Sequence, residues 1–449
     1  MRSCIIAAAV FMAALMPFSV SRAAEDLESR LNQLDAELGR QGEIIREQQK
    51  TIETLREELA RQEEPQPQPQ QALGGSSPTS KEGSFFGGSA LTNPSLSLVV
   101  DTFAYVSELE DDKLEARGIP GFTSEGPEQR QGFNLRAAEL VLFAPVDPYF
   151  NLYANLPVTE EGIELEEAYA VTTALPAGWQ VKGGKFKSNF SRLSAQHPHA
   201  WDFADIALPY RAFLGEEGMG GEKGVQLTYL PALPFFLQMG GEVLQGQNAL
   251  LFGEEAASGP HAFSIFAKGS VDTGEHSTLH AGPFVLFGQT RSEAIIEEAE
   301  VDGKSELYGL EAAWKWQPAS RRGLTLQGEY LYLRQRGNLS DASAAAIERL
   351  TRRQDGFYLQ GIWRQDRWRF GGRYDALELL ADTFEVAGVQ RKRGETPWRA
   401  TASLEFNPSE FTRIRLQYSH DDSGRDGRDN DECFLQFIFG IGAHAAHAF

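Results

Sequence analysis

The chain has 449 residues, with 42 Lys and Arg against 63 Asp and Glu and a formal net charge of −21. That acidic balance argues against a nucleic-acid partner, whose phosphates are neutralised by clustered Lys and Arg. Its 29 Phe, 12 Tyr, 7 Trp and 44 Gly occur in alternating pieces; past the first two dozen residues no apolar run approaches the ~18 residues of a membrane-spanning helix.

Residues 1–23 read as a secretory signal. Arg2 supplies the positive start, Ile5 to Phe18 the apolar run, and Ser21-Arg22-Ala23 a small-x-small cleavage site. Cleavage would remove Arg2 and Arg22, moving the formal charge from −21 to −23, and would leave Cys433 as the only cysteine. No intrachain disulfide could then form.

Residues 24–63 carry a heptad pattern. Leu31, Leu38, Ile45, Ile52 and Leu59 form one series, and Leu27, Leu34, Gln41, Gln48 and Leu55 form the second, with Glu, Arg, Gln and Lys between them. So regular an apolar stripe needs a partner helix to bury it, so the spacing predicts a coiled coil, and Leu mixed with Ile allows dimer or trimer. The expected partner is a second copy of the chain. Residues 64–92 begin with Glu64-Pro65-Gln66-Pro67-Gln68-Pro69 and continue rich in Gly and Ser. This is a linker that is stiff and then flexible.

From residue 93 to 449 the pattern changes to period two. Sixteen strands are predicted, at 96–106, 133–144, 148–157, 163–173, 178–187, 223–230, 234–244, 261–270, 277–290, 305–317, 322–335, 355–365, 367–377, 398–407, 409–419 and 431–449. Connections after even-numbered strands are short turns such as Pro145-Val146-Asp147 and Asp366. Those after odd-numbered strands are long and polar, except at 158–162. The last strand alternates Cys433, Leu435, Phe437, Phe439 and Ile441 and ends on Phe449. An even number of strands, alternating loop lengths and a terminal aromatic strand predict an all-β fold, a transmembrane antiparallel barrel of the bacterial outer membrane. Outer-membrane lipid would surround it, and both chain ends, with the coiled coil, would lie in the periplasm.

Charge parity predicts a wet interior. Arg364, Arg367, Arg369, Arg373, Arg399, Arg413 and Arg415 alternate with apolar residues, and a charge facing lipid costs ~2–4 kcal/mol near the midplane. These seven arginines are therefore expected to line the pore. Asp101, Glu139, Glu164, Glu166 and Glu167 form an acidic group elsewhere. Together the two groups either set a field across the lumen or are merely solvated. Segment 188–222 is unusually apolar for a surface loop and is expected to fold into the lumen as a constriction, with Trp201, Tyr210 and Arg211 on it. It also holds His197, His199, Asp202 and Asp205. These four either form a zinc site of nitrogen and oxygen ligands or serve packing within the loop. No nucleophile elbow or phosphate-cradling glycine loop occurs, so no enzymatic activity is expected.

The stretches D-P-Y-F-N-L-Y-A, E-E-A-Y-A-V-T-T-A-L-P-A-G-W-Q-V-K-G-G-K-F-K-S and H-P-H-A-W-D-F-A-D-I-A-L-P-Y-R-A-F-L-G, between residues 147 and 215, resemble a proteobacterial outer-membrane family. Its members are often labelled zinc-regulated TonB-dependent receptors and are similar to the porin O and P group. The resemblance implies a link to zinc at His197, His199, Asp202 and Asp205. The sequence departs from the TonB half of that label, because energy-coupled receptors have 22 strands and a plug. Here only a coiled coil and a linker precede the predicted strands. The expectation is therefore a plugless channel for diffusion of small charged solutes, with ion transport as its activity. The alternatives are a zinc-linked receptor or metal-uptake protein, and a structural envelope tether.

Overall fold

The computed structural model describes residues 94–296, 299–341, 348–391, 393–424 and 428–442. The expected signal sequence, coiled coil and linker lie outside the described residues, as does Phe449.

The strands are β1 (Ser95–Ser107), β2 (Gly132–Asp147), β3 (Phe150–Val158), β4 (Glu167–Thr172), β5 (Trp179–Lys187), β6 (Gly221–Tyr229), β7 (Phe236–Leu244), β8 (Ala262–Gly274) and β9 (Ser277–Ile296). They continue with β10 (Ala299–Ala319), β11 (Arg322–Asp341), β12 (Glu348–Gln365), β13 (Trp368–Val386), β14 (Val389–Gln390), β15 (Trp398–Ser409), β16 (Thr412–Asp422) and β17 (Asn430–Gly442). All pairings are antiparallel, and β1 bonds to both β2 and β17, so the sheet closes on itself. β14 is only a two-residue return against the end of β13, which itself pairs with β15. The barrel therefore has sixteen strands. Closure satisfies every strand edge, which is what lets a sheet sit in lipid.

Each expected strand is present, but β9 to β13 run longer than alternation predicts, with 18 to 21 residues each. Residues 299–304 and 336–341 continue the ladder, with Val301 and Leu339 buried in a small apolar cluster beside Ile295, Leu350, Phe384 and Val386. β4 starts at Glu167 rather than residue 163, since 159–166 forms a turn with one bridge, Val158 to Ile163. The turn at Asp366 is tight, and Asp366 takes a left-handed φ of 52° that a two-residue hairpin needs and Asp tolerates.

The outer surface is apolar, with Leu140, Leu152, Leu227, Ile265, Leu310 and Leu359 all exposed. Outward aromatics gather in two rings. One lies at the short-turn end, where Trp179 stacks on Tyr229, Trp316 on Trp363, and Trp368 meets Phe406. The other holds Tyr308 with Tyr332, and Tyr374 between Phe357 and Trp398. On β10 the rings are eight residues apart, from Tyr308 to Trp316. At ~3.4 Å per residue and a tilt near 40°, that is about 21 Å, close to the apolar band of an outer-membrane barrel. Among the described residues no helix is long and apolar enough to cross a membrane.

The interior is not an empty tube. Segment 188–220 folds inward and buries Phe190, Trp201, Ile206, Tyr210 and Phe213 against Phe284, Leu286, Leu331, Leu333 and Leu377 of the wall. The first long loop, which carries the short helix α1 (Asp111–Glu115), adds Ile119 and Phe122 to the same core. Within 188–220, helix α2 (Leu208–Leu214) is buried on every side, its apolar residues in the core while Arg211 pairs with Glu216 and the Tyr210 hydroxyl donates to Glu329. Pro209 opens it, and Gly215, at φ 100°, closes it by donating its N–H to the Tyr210 and Arg211 carbonyls.

Candidate functional site: the lumen loop between two charged arcs

The arginines gather on one arc, β12 to β16, and the loop covers three of them, Arg373, Arg399 and Arg415. Arg373 and Arg399 are buried and grip Asp205, with Arg373 Nη2 at 2.9 Å from Oδ1 and Arg399 Nη1 at 2.8 Å from Oδ2. Both also donate to loop carbonyls, Arg373 to Asp205 O and Arg399 to Ile206 O. Burial alone would raise the Asp205 pKa, but Arg399 and Arg373 outweigh it and hold the carboxyl well below the usual range.

Arg415 is fully buried and shares Glu405 with Arg369 and Arg413. Arg415 Nη2 donates to the Trp201 carbonyl at 2.8 Å, and Arg413 Nη1 to that of His199 at 3.0 Å. Arg369 also bonds Asp202. The wall thus meets the loop through guanidinium groups that satisfy its carbonyls, which have no strand partner inside the barrel.

The acidic arc lies on β1 to β4, separated from β16 by β17 alone. The two charge groups are neighbouring arcs rather than facing walls. His197 Nε2 lies 2.9 Å from Glu167 Oε2, and its Nδ1 lies 3.0 Å from Glu166 Oε2. His199 Nδ1 lies 2.7 Å from Glu139 Oε1. Burial by itself would lower the His197 pKa, but hydrogen bonds to Glu166 and Glu167 prevail and push it up to about 10.

The structure divides the four expected zinc ligands. His197 and His199 stack together on the acidic arc, while Asp202 and Asp205 point to the basic arc. The reason is charge complementarity: each half of the loop faces the wall of opposite sign. His197, His199, Asp202 and Asp205 therefore do not form one ligand set.

The expected pore-lining residues divide as well. Arg364 is exposed near the short-turn end, and Arg369 and Arg413 are partly exposed. Arg373, Arg399 and Arg415 are covered by the loop, and Arg367 sits in the turn between β12 and β13, one residue before the strand begins. Trp201, Tyr210 and Arg211 are likewise buried, so they hold the loop in place and do not face a passage. Trp201 and Tyr210 belong to the core, and Arg211 pairs with Glu216. The more open loop residues include Arg192, Gln196 and Asp202.

Sequence reasoning missed several carboxylates that seat the loop. Glu242 accepts from Ser188 and the Asn189 N–H, Glu311 from the Arg192 N–H, Glu329 from Tyr210, and Asp375 from the Leu208 N–H. Strand parity already turns Glu311 and Glu329 inward, opposite Leu310 and Tyr330. Their loop partners are more than 100 residues away in sequence.

No family model matches the chain. It is 41% identical over 382 residues to an uncharacterized protein of Aquifex aeolicus, covering 79% of this chain and 80% of that one. Among solved structures it is similar to the outer membrane channel DcaP of Acinetobacter baumannii, at 14% identity and a TM-score of 0.49, covering 79% and 99% of the two chains. It is also similar to OprB of Pseudomonas putida, at 12% identity and 0.49, covering 78% and 94%. An anion-selective porin of Comamonas acidovorans follows, at 9% identity and 0.46, covering 78% and 100%.

Proposed function

The chain belongs to the same family as this Aquifex aeolicus protein, and we propose that it is a porin-like outer-membrane channel through which small charged solutes diffuse. The observation that carries this reading is a closed sixteen-stranded barrel with apolar residues and two aromatic rings outside and ion-paired polar residues inside. A barrel built only as an anchor would have no need of so many charges on its inner parity, each of which must be paired or solvated. The inward loop sets the narrow section. On its short-turn side, Arg364, Arg369, Arg413 and the loop's Arg192 keep some exposure beside Asp202, so the accessible charge there is net positive and favours anions. The test is the purified chain in a planar bilayer under a KCl gradient. Discrete current steps with a reversal potential of anion-selective sign are expected. A folded protein that never produces steps would remove the channel reading.

Residues 24–63 are proposed to join copies of the chain through the heptad stripe. Deleting them should lower the mass of the detergent-solubilised particle, measured by light scattering, to that of one chain. An unchanged mass would place the assembly contact elsewhere.

A further inference from the structure

Where the loop's histidines meet the acidic arc, we propose that Glu139, Asn155, Glu166 and His197 form a site for one first-row divalent cation. The channel reading neither requires nor supplies this site. Glu139, Glu166 and His197 each offer one ligand atom, and these three atoms lie within 4.8 Å of one another. His197 Nδ1 is 3.0 Å from the Glu166 oxygen and 3.7 Å from the Glu139 oxygen. Metal–ligand bonds of about 2.0–2.2 Å in a tetrahedron separate the ligand atoms by roughly 3.3–3.6 Å. The two distances to His197 Nδ1 therefore need only a few tenths of an ångström of adjustment.

Asn155 supplies the observation that points to a ligand. It is wholly buried on β3, and its amide nitrogen lies 3.0 Å from Glu139 Oε2, 2.9 Å from Glu166 Oε2 and 3.1 Å from His197 Nδ1. That nitrogen has two hydrogens for three neighbours, while Oδ1 of the same amide is buried with no hydrogen-bond partner among the described residues. Turning the amide by 180° exchanges the two atoms. Oδ1 then points at the centre of the cluster as a fourth donor, and a cation there satisfies it.

The surrounding groups hold each donor in a ligating orientation. The second oxygen of Glu139 is held by His199 at 2.7 Å, and that of Glu166 by Lys187 at 3.0 Å. His197 Nε2 lies 2.9 Å from Glu167 Oε2, so donating Nε2–H there leaves the Nδ1 lone pair for the metal. This is the carboxylate–histidine–metal arrangement of metal sites. Two carboxylate oxygens, one imidazole and one amide oxygen suit Zn²⁺ or a neighbouring first-row ion. Ca²⁺ asks for six to eight oxygens and is a poor fit. The bound ion takes the place of the Nδ1 proton and ties the loop to β2, β3 and the residue before β4.

The probe is Zn²⁺, titrated calorimetrically into tag-free, chelator-treated full-length protein in detergent. One ion per chain is expected. Glu166→Gln, His197→Ala and Asn155→Ala should each weaken binding at least tenfold, and Glu167→Gln about 10–100-fold. Asn155→Asp, which adds a charged oxygen donor, should retain or tighten it, an outcome that a purely structural amide would not produce. Gel mobility with and without heating reports whether each variant is folded. No saturable binding to the wild type, or unchanged binding in a folded His197→Ala variant, would overturn the site.

Discussion

Asp205→Ala should release the lumen loop from the basic arc and raise single-channel conductance several-fold. Asp205 is the loop's main ionic contact with that arc, gripped by Arg373 at 2.9 Å and Arg399 at 2.8 Å. Both arginines are buried, and the wall carboxylate beside them, Asp375, is itself shared between the two. Removing one member of a buried ion pair costs about 3–5 kcal/mol, because the remaining charges lose their compensation. Water can reach the vacated position, so ~3 kcal/mol is the more realistic figure. That still shifts the docked-to-released ratio about a hundredfold, and the barrel itself stays closed because its backbone ladder is untouched. The measurement is conductance in a planar bilayer together with protease sensitivity within 188–220. A folded variant with wild-type conductance and an uncut loop would mean that Asp205 does not restrain the constriction. Asp205→Asn keeps one acceptor and should fall between the two.

Glu405→Ala should have the largest effect on stability. Glu405 is almost fully buried on β15 and is the shared anion of Arg369, Arg413 and Arg415. Arg415 has no exposure and no other carboxylate partner among the described residues, so the variant strands a buried cation. A loss of about 3–5 kcal/mol is expected, read as a lower urea midpoint for the barrel in lipid vesicles. Glu405→Gln retains an acceptor and should lose less. Where the variant still forms channels, its reversal potential should move further toward anions, because Arg369 and Arg413 are partly exposed and lose a counter-charge. A midpoint equal to the wild type would show that the loop carbonyls, Asp202 and Gln436 satisfy these arginines without Glu405.

The first prediction concerns a contact between the loop and the wall and the second an ion cluster of the wall on which the loop rests; how loop and wall meet was the least legible part of the sequence. The barrel itself was legible strand by strand. Trp368, Phe370 and Tyr374 against Arg369, Arg373 and Asp375 is a local pattern, and a pleated strand turns it directly into two faces. The apolar content of 188–222 correctly indicated an inward fold. The destinations of its polar residues could not be read from their spacing. His197 and Asp205 are eight residues apart and look like one ligand set, yet the loop carries them to different arcs. Glu139 and Asn155, sixteen residues apart on paired strands, meet His197 because β2 and β3 are in register.

The linear sequence determined the strand number, the inner and outer faces and the alternation of short and long connections, because each depends on residues within a few positions of one another. Only the tertiary structure decided that Arg373, Arg399 and Arg415 are covered, that Trp201, Tyr210 and Arg211 support the loop without facing a passage, and that histidines and aspartates separate. Those outcomes rest on pairings outside any local strand pattern, from His197 with Glu166 to Asp205 with Arg373 and Arg399. Opposite charges brought together by barrel closure choose their partners by proximity in the lumen, which no local periodicity encodes.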